Sequence, residues 1–167
     1  AAAALTDVST LAAETFNVDV VQGADVTITA SFGSDVDDIS ITGGNSLSTL
    51  TTGTIVGTVE TVDASAFSGN IVVTQTADTL DSTITIKGGP LLTDEVNYQL
   101  SNVGVYVAQT TGVEILDLNI DATDNVSLAS ATGIVRVDVD VAAGLTATID
   151  GMAGHEVIRV TEVASTN

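Results

Sequence analysis

Carboxylates are the side chains of this chain whose types and spacing suggest chemistry. Asp35, Asp37 and Asp38 fall in the polar turn Gly33-Ser34-Asp35-Val36-Asp37-Asp38. Asp121 and Asp124 fall in Asp121-Ala122-Thr123-Asp124-Asn125, and Asp78 and Asp81 flank Thr79-Leu80. Carboxylates two or three residues apart in a turn can share a hard cation, with backbone carbonyls completing its oxygen shell. These aspartates are the candidate ligands, and Ca²⁺ is the expected cofactor. None of the clusters has the spacing of an EF-hand loop. The competing reading of each is a turn aspartate bonded to its own backbone. Asp138 and Asp140 alternate with Val137, Val139 and Val141, which places both on one face of a strand.

Other chemistries find little support. His155 is the only histidine and there is no cysteine, so a zinc site would have to be built from carboxylates around one imidazole. No G-x-S-x-G nucleophile elbow is present. Paired carboxylates could serve glycoside hydrolysis, but the aromatic platforms that sugar clefts offer are scarce: Tyr98, Tyr106 and three phenylalanines. The chain reads as a protein without catalytic residues.

The charge balance narrows the partners. Three Lys+Arg stand against 22 Asp+Glu, a formal net charge of −19. The cations are Lys87, Arg136 and Arg159, far too few and too dispersed for a phosphate backbone or an anionic membrane surface. Cations are the natural partners of such a surface, and they would quench the repulsion between copies. Hydrophobic residues make up 44% of the 167, enough for a folded core. No apolar run reaches the ~20 residues of a membrane-spanning helix. Low Lys with abundant Thr, Asp and Gly suits a protein exported by a bacterium, and the chain reads as either a processed mature form, for which Ala1-Ala2-Ala3-Ala4 would suit the start, or an excised piece.

The elements that position these carboxylates are strands. Phe16, Val18 and Val20 alternate with polar residues, as do Val26 and Ile28, Ile39 and Ile41, Ile71 and Val73, and Ile84 and Ile86. Residues 1–12 are Ala-rich and read as a short helix or a loose arm. The phrase Val59-Glu60-Thr61-Val62-Asp63 returns as Val113-Glu114-Ile115-Leu116-Asp117, with a looser echo at Ala13-Glu14-Thr15-Phe16-Asn17. The Glu14 and Glu60 copies lie 46 residues apart, and the Gly43-Gly44 and Gly88-Gly89 pairs 45 apart. Gly112, Gly133 and Gly154 are spaced by 21, each before a Val/Ile-rich strand. Repetition of this kind marks a chain that stacks one small unit on another. The expected fold is all-β, a repeat-containing β-solenoid with a hairpin insertion, or an extra rung, around Ser101-Asn102. A β-sandwich is the alternative. The expected organisation is an arm at 1–15, able to donate a strand, and one β-rich domain at 16–167 with repeat units near 13–58, 59–112 and 113–167.

The phrase Val59–Asn70, its second instance Gly112–Asp117, and the strand-plus-Gly-Gly elements Asp38–Gly44 and Ser82–Gly89 together resemble bacterial surface-layer and RTX-related secreted proteins. The resemblance covers about half the chain in scattered pieces. It implies a Ca²⁺-stabilised solenoid assembled on or outside the cell. The chain departs from the calcium turn of that family, G-G-x-G-x-D. Gly43-Gly44 continues as Asn45-Ser46-Leu47-Ser48 and Gly88-Gly89 as Pro90-Leu91-Leu92-Thr93, without the third glycine or the aspartate. Those calcium rows do not transfer to this chain.

The expected function is an extracellular structural subunit that self-assembles into a surface layer or filament by edge pairing or strand donation. Its expected partners are copies of itself and cell-surface polysaccharide. The alternative is a Ca²⁺-dependent adhesin domain of a larger secreted protein.

Overall fold

The computed structural model describes residues 3–5, 14–29, 36–55, 59–77, 84–152 and 157–163, and among them there are strands, turns and bends but no helix. The chain first alternates between two sheets. The long sheet takes β1 (Ala3–Leu5), β3 (Asp25–Ile28), β5 (Thr49–Ile55), β7 (Asn70–Ala77) and β9 (Glu95–Leu100). A five-stranded sheet takes β2 (Thr15–Val20), β4 (Asp38–Gly43), β6 (Thr61–Phe67), β8 (Thr85–Lys87) and β11 (Gln109–Thr111). A three-stranded sheet then enters, with β10 (Val105–Val107), β13 (Asp124–Ser127) and β15 (Ala147–Asp150). β12 (Ile115–Ile120), β14 (Arg136–Ala142) and β16 (Val157–Val163) complete the long sheet to eight strands.

Every ladder between these strands is parallel. Each strand pairs with the next strand of its own sheet, one rung further along the chain. Glu95 lies beside Ile115, a step of 20 residues, and Thr85 beside Gln109, a step of 24. This is a β-solenoid, and the β-sandwich alternative falls because sandwich sheets are antiparallel.

The core is made of stacked columns. Val73, Val96, Leu116 and Val137 are all fully buried, and the last three are register partners. Leu100 and Ile120 form another column, and Ile39, Val62 and Ile86 a third in the five-stranded sheet. Alternation alone explains this: inward positions carry β-branched or Leu side chains that fit a pleated surface, outward ones carry Thr, Asn and Asp.

Four sequence expectations change. Ala3–Leu5 is extended and pairs with β3, so this part of the Ala-rich segment is a strand and not a helix. The hairpin expected between Val96 and Val107 does not form: β9 joins the long sheet and β10 the three-stranded one, so the insertion is an extra side of a rung. Thr15 lies beside Asp38 and Asp38 beside Thr61, 23 residues each time, so the 46-residue repeat is two rungs. The echo between Val59–Asp63 and Val113–Asp117 joins positions that are not equivalent, because β6 and β12 belong to different sheets.

Corners are tight where a rung turns. Gly43 and Gly44 have φ of 81° and 67°, which non-glycine residues rarely adopt. A side chain at Gly44 would run into the ring of Phe67, which fills the same corner one rung on and is fully buried. Gly144 has a similar φ of 81°, but open space around it. Replacing Gly44 by Ala is expected to cost about 3 kcal/mol, backbone strain plus overpacking, against about 1 kcal/mol for Gly144→Ala. Chemical denaturation of the two variants checks this. Equal losses would mean that the ring contact carries no weight.

Candidate functional site

The expected cation ligands are placed unevenly. Asp35, Asp78 and Asp81 lie outside the described residues, as does His155. Asp37 and Asp38 are exposed at the turn into β4, and both of their N–H groups donate to Glu14 O, at 2.8 and 2.9 Å. Asp121 is exposed after β12, whereas Asp124 is buried at the start of β13. The Gly104 N–H donates to Asp124 Oδ1 at 3.0 Å, and Asp124 Oδ2 has no hydrogen-bond partner among the described residues. Burial raises the Asp124 pKa above the usual carboxylate range, against the pull of that hydrogen bond. Among the described residues no three His, Cys, Asp or Glu side chains converge on a point that would hold a metal ion.

The fold gathers other carboxylates instead. Asp94 and Glu114 are both buried, at the corners that lead into β9 and β12. Asp94 accepts from the Ile71 N–H at 3.0 Å and the Gly89 N–H at 2.6 Å, one to each carboxylate oxygen. Its own N–H donates to Glu114 Oε2 at 3.2 Å, and its carbonyl accepts from Glu114 and Ile115. The two acids thus tie together the backbone of neighbouring rungs, satisfying donors that a corner would otherwise leave unpaired. Burial pushes both pKa values up, and the Asp94 charge pushes Glu114 further. Ser48 does the same work earlier in the long sheet, its hydroxyl accepting from the Gly23 and Asn45 N–H groups. A sequence signal for the pair existed: both acids stand immediately before a strand, 20 residues apart, one rung's length.

The outward face of the long sheet carries a charged ladder. Asn97, Asp117, Asp138 and Arg159 occupy one row of register partners. Asn119 and Asp140 stand in the next row. Asp138 holds Arg136 Nε at 2.8 Å on Oδ2 and Arg159 Nε at 3.5 Å on Oδ1. Burial raises the Asp117 pKa first, and the charges of Asp140, Glu95 and Asp138 add to it, with Arg136 opposing. On the five-stranded sheet, Asp63 accepts from Ser65 and pairs with Lys87 at 2.9 Å, which holds its pKa low. The Asp63–Ser65 contact pins the bulge where β4 and β6 slip register.

β16 is the last described strand of the ladder. Val137 and Val139 of β14 are 0% and 2% exposed, while their register partners Ile158 and Val160 of β16 are 45% and 69% exposed. No described strand pairs with the far side of β16.

The fold and these surfaces define a parallel β-solenoid protein with acid-lined corners. No family model, curated protein or solved structure matches the chain.

The buried acids set a pH dependence. Asp94, Glu114, Asp117 and Asp124 all have raised folded-state pKa values, so each contributes stability that is present below the usual carboxylate range and lost as pH rises through its folded-state value. Asp63, shifted the other way, loses its contribution as pH falls. Four groups against one predict a melting temperature that climbs as pH is lowered through the folded-state values of these carboxylates toward the ordinary carboxylate range. Glu114→Gln keeps an acceptor for the Asp94 N–H and removes a charge, so it is expected to flatten that climb. Thermal melts across this pH range test both statements, and an unchanged slope in Glu114→Gln would remove Glu114 from the account.

Proposed function

We propose that this protein is an extracellular structural subunit that assembles with its own copies into a filament or layer. The observation that supports the reading is the apolar edge of β16, the last described strand, where Ile158 and Val160 are exposed although their register partners Val137 and Val139 are buried. Burying two such side chains is worth about 1.5–3 kcal/mol each, and an added parallel strand would also satisfy the free backbone edge. Head-to-tail contacts of this kind do not close on themselves, so they propagate into open polymers. The resemblance of Val59–Asn70 and Ser82–Gly89 to surface-layer and RTX-related secreted proteins supports an exported location.

Calcium enters the same reading as the agent that permits assembly. A chain of charge −19 repels its copies, and the rows holding Asp117, Asp138 and Asp140 add like charges at strand spacing. Ca²⁺ between acidic faces of neighbouring copies would offset that repulsion through carboxylate and carbonyl oxygens. Asp37, Asp38 and Asp121 are the exposed members of the candidate ligand set.

Negative-stain electron microscopy and native mass, with Ca²⁺ and with chelator, test both parts. The expected result is regular fibres or sheets with Ca²⁺ that come apart on chelation. Polymers that persist in chelator would keep assembly and remove calcium as its lock. Monomers under both conditions would overturn self-assembly and leave the adhesin-domain reading.

A further inference from the structure

We infer that two copies of this chain pack side by side through the ridge of corners that leads into the long sheet, antiparallel about a two-fold axis. This contact rests on the self-assembly reading and is its lateral joint.

The ridge is built by the corners that enter β3, β5, β7, β9, β12 and β14. These strands are successive neighbours in the long sheet, so the corners stack at about 4.8 Å per rung. Their lengths differ. Residues 44–48 precede β5 and residues 88–94 precede β9, whereas only Ser68 and Gly69 precede β7, and residues 112–114 precede β12. The long corners lift Leu47 and Leu92, each 79% exposed. The short corners stay low, with Gly69 and Val113 buried. The ridge thus has knobs at its second and fourth corners and troughs at its third and fifth. Val21 and Val135, also exposed, stand at the first and sixth.

Charge selects the occupant. Among the residues of these corners only Asp94 and Glu114 are charged, and both are buried with backbone N–H groups on their carboxylates. The ridge is therefore an uncharged, apolar strip on a chain of net charge −19. A cationic partner would be drawn to the acidic faces instead. A second copy, repelled by those faces, meets no like charge here.

Shape selects the alignment. Parallel copies would set each corner against itself, Leu47 on Leu47 and Leu92 on Leu92, and leave the troughs void. A two-fold axis across the ridge, between its third and fourth corners, sets first against sixth, second against fifth and third against fourth. Leu92 then enters the trough at Ser68–Gly69 and Leu47 the trough at Gly112–Val113, each contact made twice. Val21 meets Val135. Exposed Asp25, which follows the first corner, comes to the same flank as Arg136, which follows the sixth, so opposite charges face each other. One corner wide and roughly 24 Å long, the contact is smaller than the ~800 Å² per partner of a stable pair. It suits copies already held at high local concentration, as in a layer.

The chain has no cysteine, so engineered thiols report this contact without background. Within one copy Val21 and Val135 lie five rungs apart, roughly 24 Å, out of reach of a short bismaleimide. The Val21→Cys/Val135→Cys variant, treated with that reagent at high protein concentration, is expected to give covalent dimers on a denaturing gel and to stop there, because the two-fold closes. Each single-cysteine variant is expected to stay monomeric. In sedimentation equilibrium Leu92→Asp is expected to weaken the dimer at least about tenfold, since the symmetry removes two apolar knobs at once. Val103→Asp, at an exposed valine off the ridge, is expected to leave it unchanged.

Covalent dimers from Val21→Cys or Val135→Cys alone would overturn the antiparallel alignment. Assemblies that withstand Leu92→Asp, with no covalent dimer from the double variant, would overturn the ridge contact and leave self-assembly standing. A closed dimer that never extends into fibres or sheets would uphold the contact and overturn the filament or layer. A parent chain that stays monomeric at every concentration would overturn both. Where Leu92→Asp fails to melt cooperatively, Leu47→Asp takes its place with the same expected loss.

Discussion

A strand of the long sheet finds its hydrogen-bond partners 20 or more residues away, one rung along, and never in an adjacent hairpin. The chain must therefore return to the same place, in the same register, on every circuit. That demand shapes the corners. It is met by glycines with positive φ at Gly43, Gly44, Gly112 and Gly133, and by side chains that accept the backbone donors a turn leaves over, Ser48, Asp94 and Glu114. It also explains why acids are buried in a chain already heavy with charge. A carboxylate offers two oxygens to N–H groups from different rungs, as Asp94 does with Ile71 and Gly89, and a hydroxyl offers one.

The strands were legible because the inward positions are filled so consistently. Phe16, Val18 and Val20, or Val96, Tyr98 and Leu100, can be read only as alternating strands. The solenoid followed from the recurrence of glycine-marked phrases. What the sequence obscured was which side of the rung each strand occupies. Glu60 before β6 is exposed, and Glu114 before β12 is buried, although the phrases around them, Val59–Asp63 and Val113–Asp117, share Val, Glu and Asp at the same places. A strand looks the same on any side of a solenoid, and its side is decided by the lengths of the corners before it. The two-rung repeat of 46 residues hid the true step for a related reason. The intervening rung, with Asp37 in place of the glutamate, carries the same backbone contact: Asp37 O accepts from Glu60 as Glu14 O does from Asp37.

The acidic sites were less legible than the fold. Turn aspartates such as Asp121 announce themselves by composition, and their exposure leaves them free to meet solvent or a cation. Asp94 sits in Leu92-Thr93-Asp94-Glu95, and its one signal, standing a rung's length before Glu114 at the start of a strand, shows only once the rung length is known. Asp117 and Asp138 become neighbours only once two strands 21 residues apart are set side by side. Proximity of that kind is a property of the register, and register is the quantity a single sequence expresses least directly.

The three sheets do not share the same span. The five-stranded sheet stops at β11, with one further bridge from Thr111 to Thr132, and the three-stranded sheet begins at β10. Only the circuit through β9, β10 and β11 contains strands of all three. On one side of it the walls are the long and five-stranded sheets, and on the other the long and three-stranded sheets. Peeling the chain from its C-terminal side would dissolve the three-stranded wall down to β10 and leave the five-stranded ladder whole. That circuit is thus where the cross-section of the solenoid changes walls: the later circuits can open rung by rung while the five-stranded ladder stays paired.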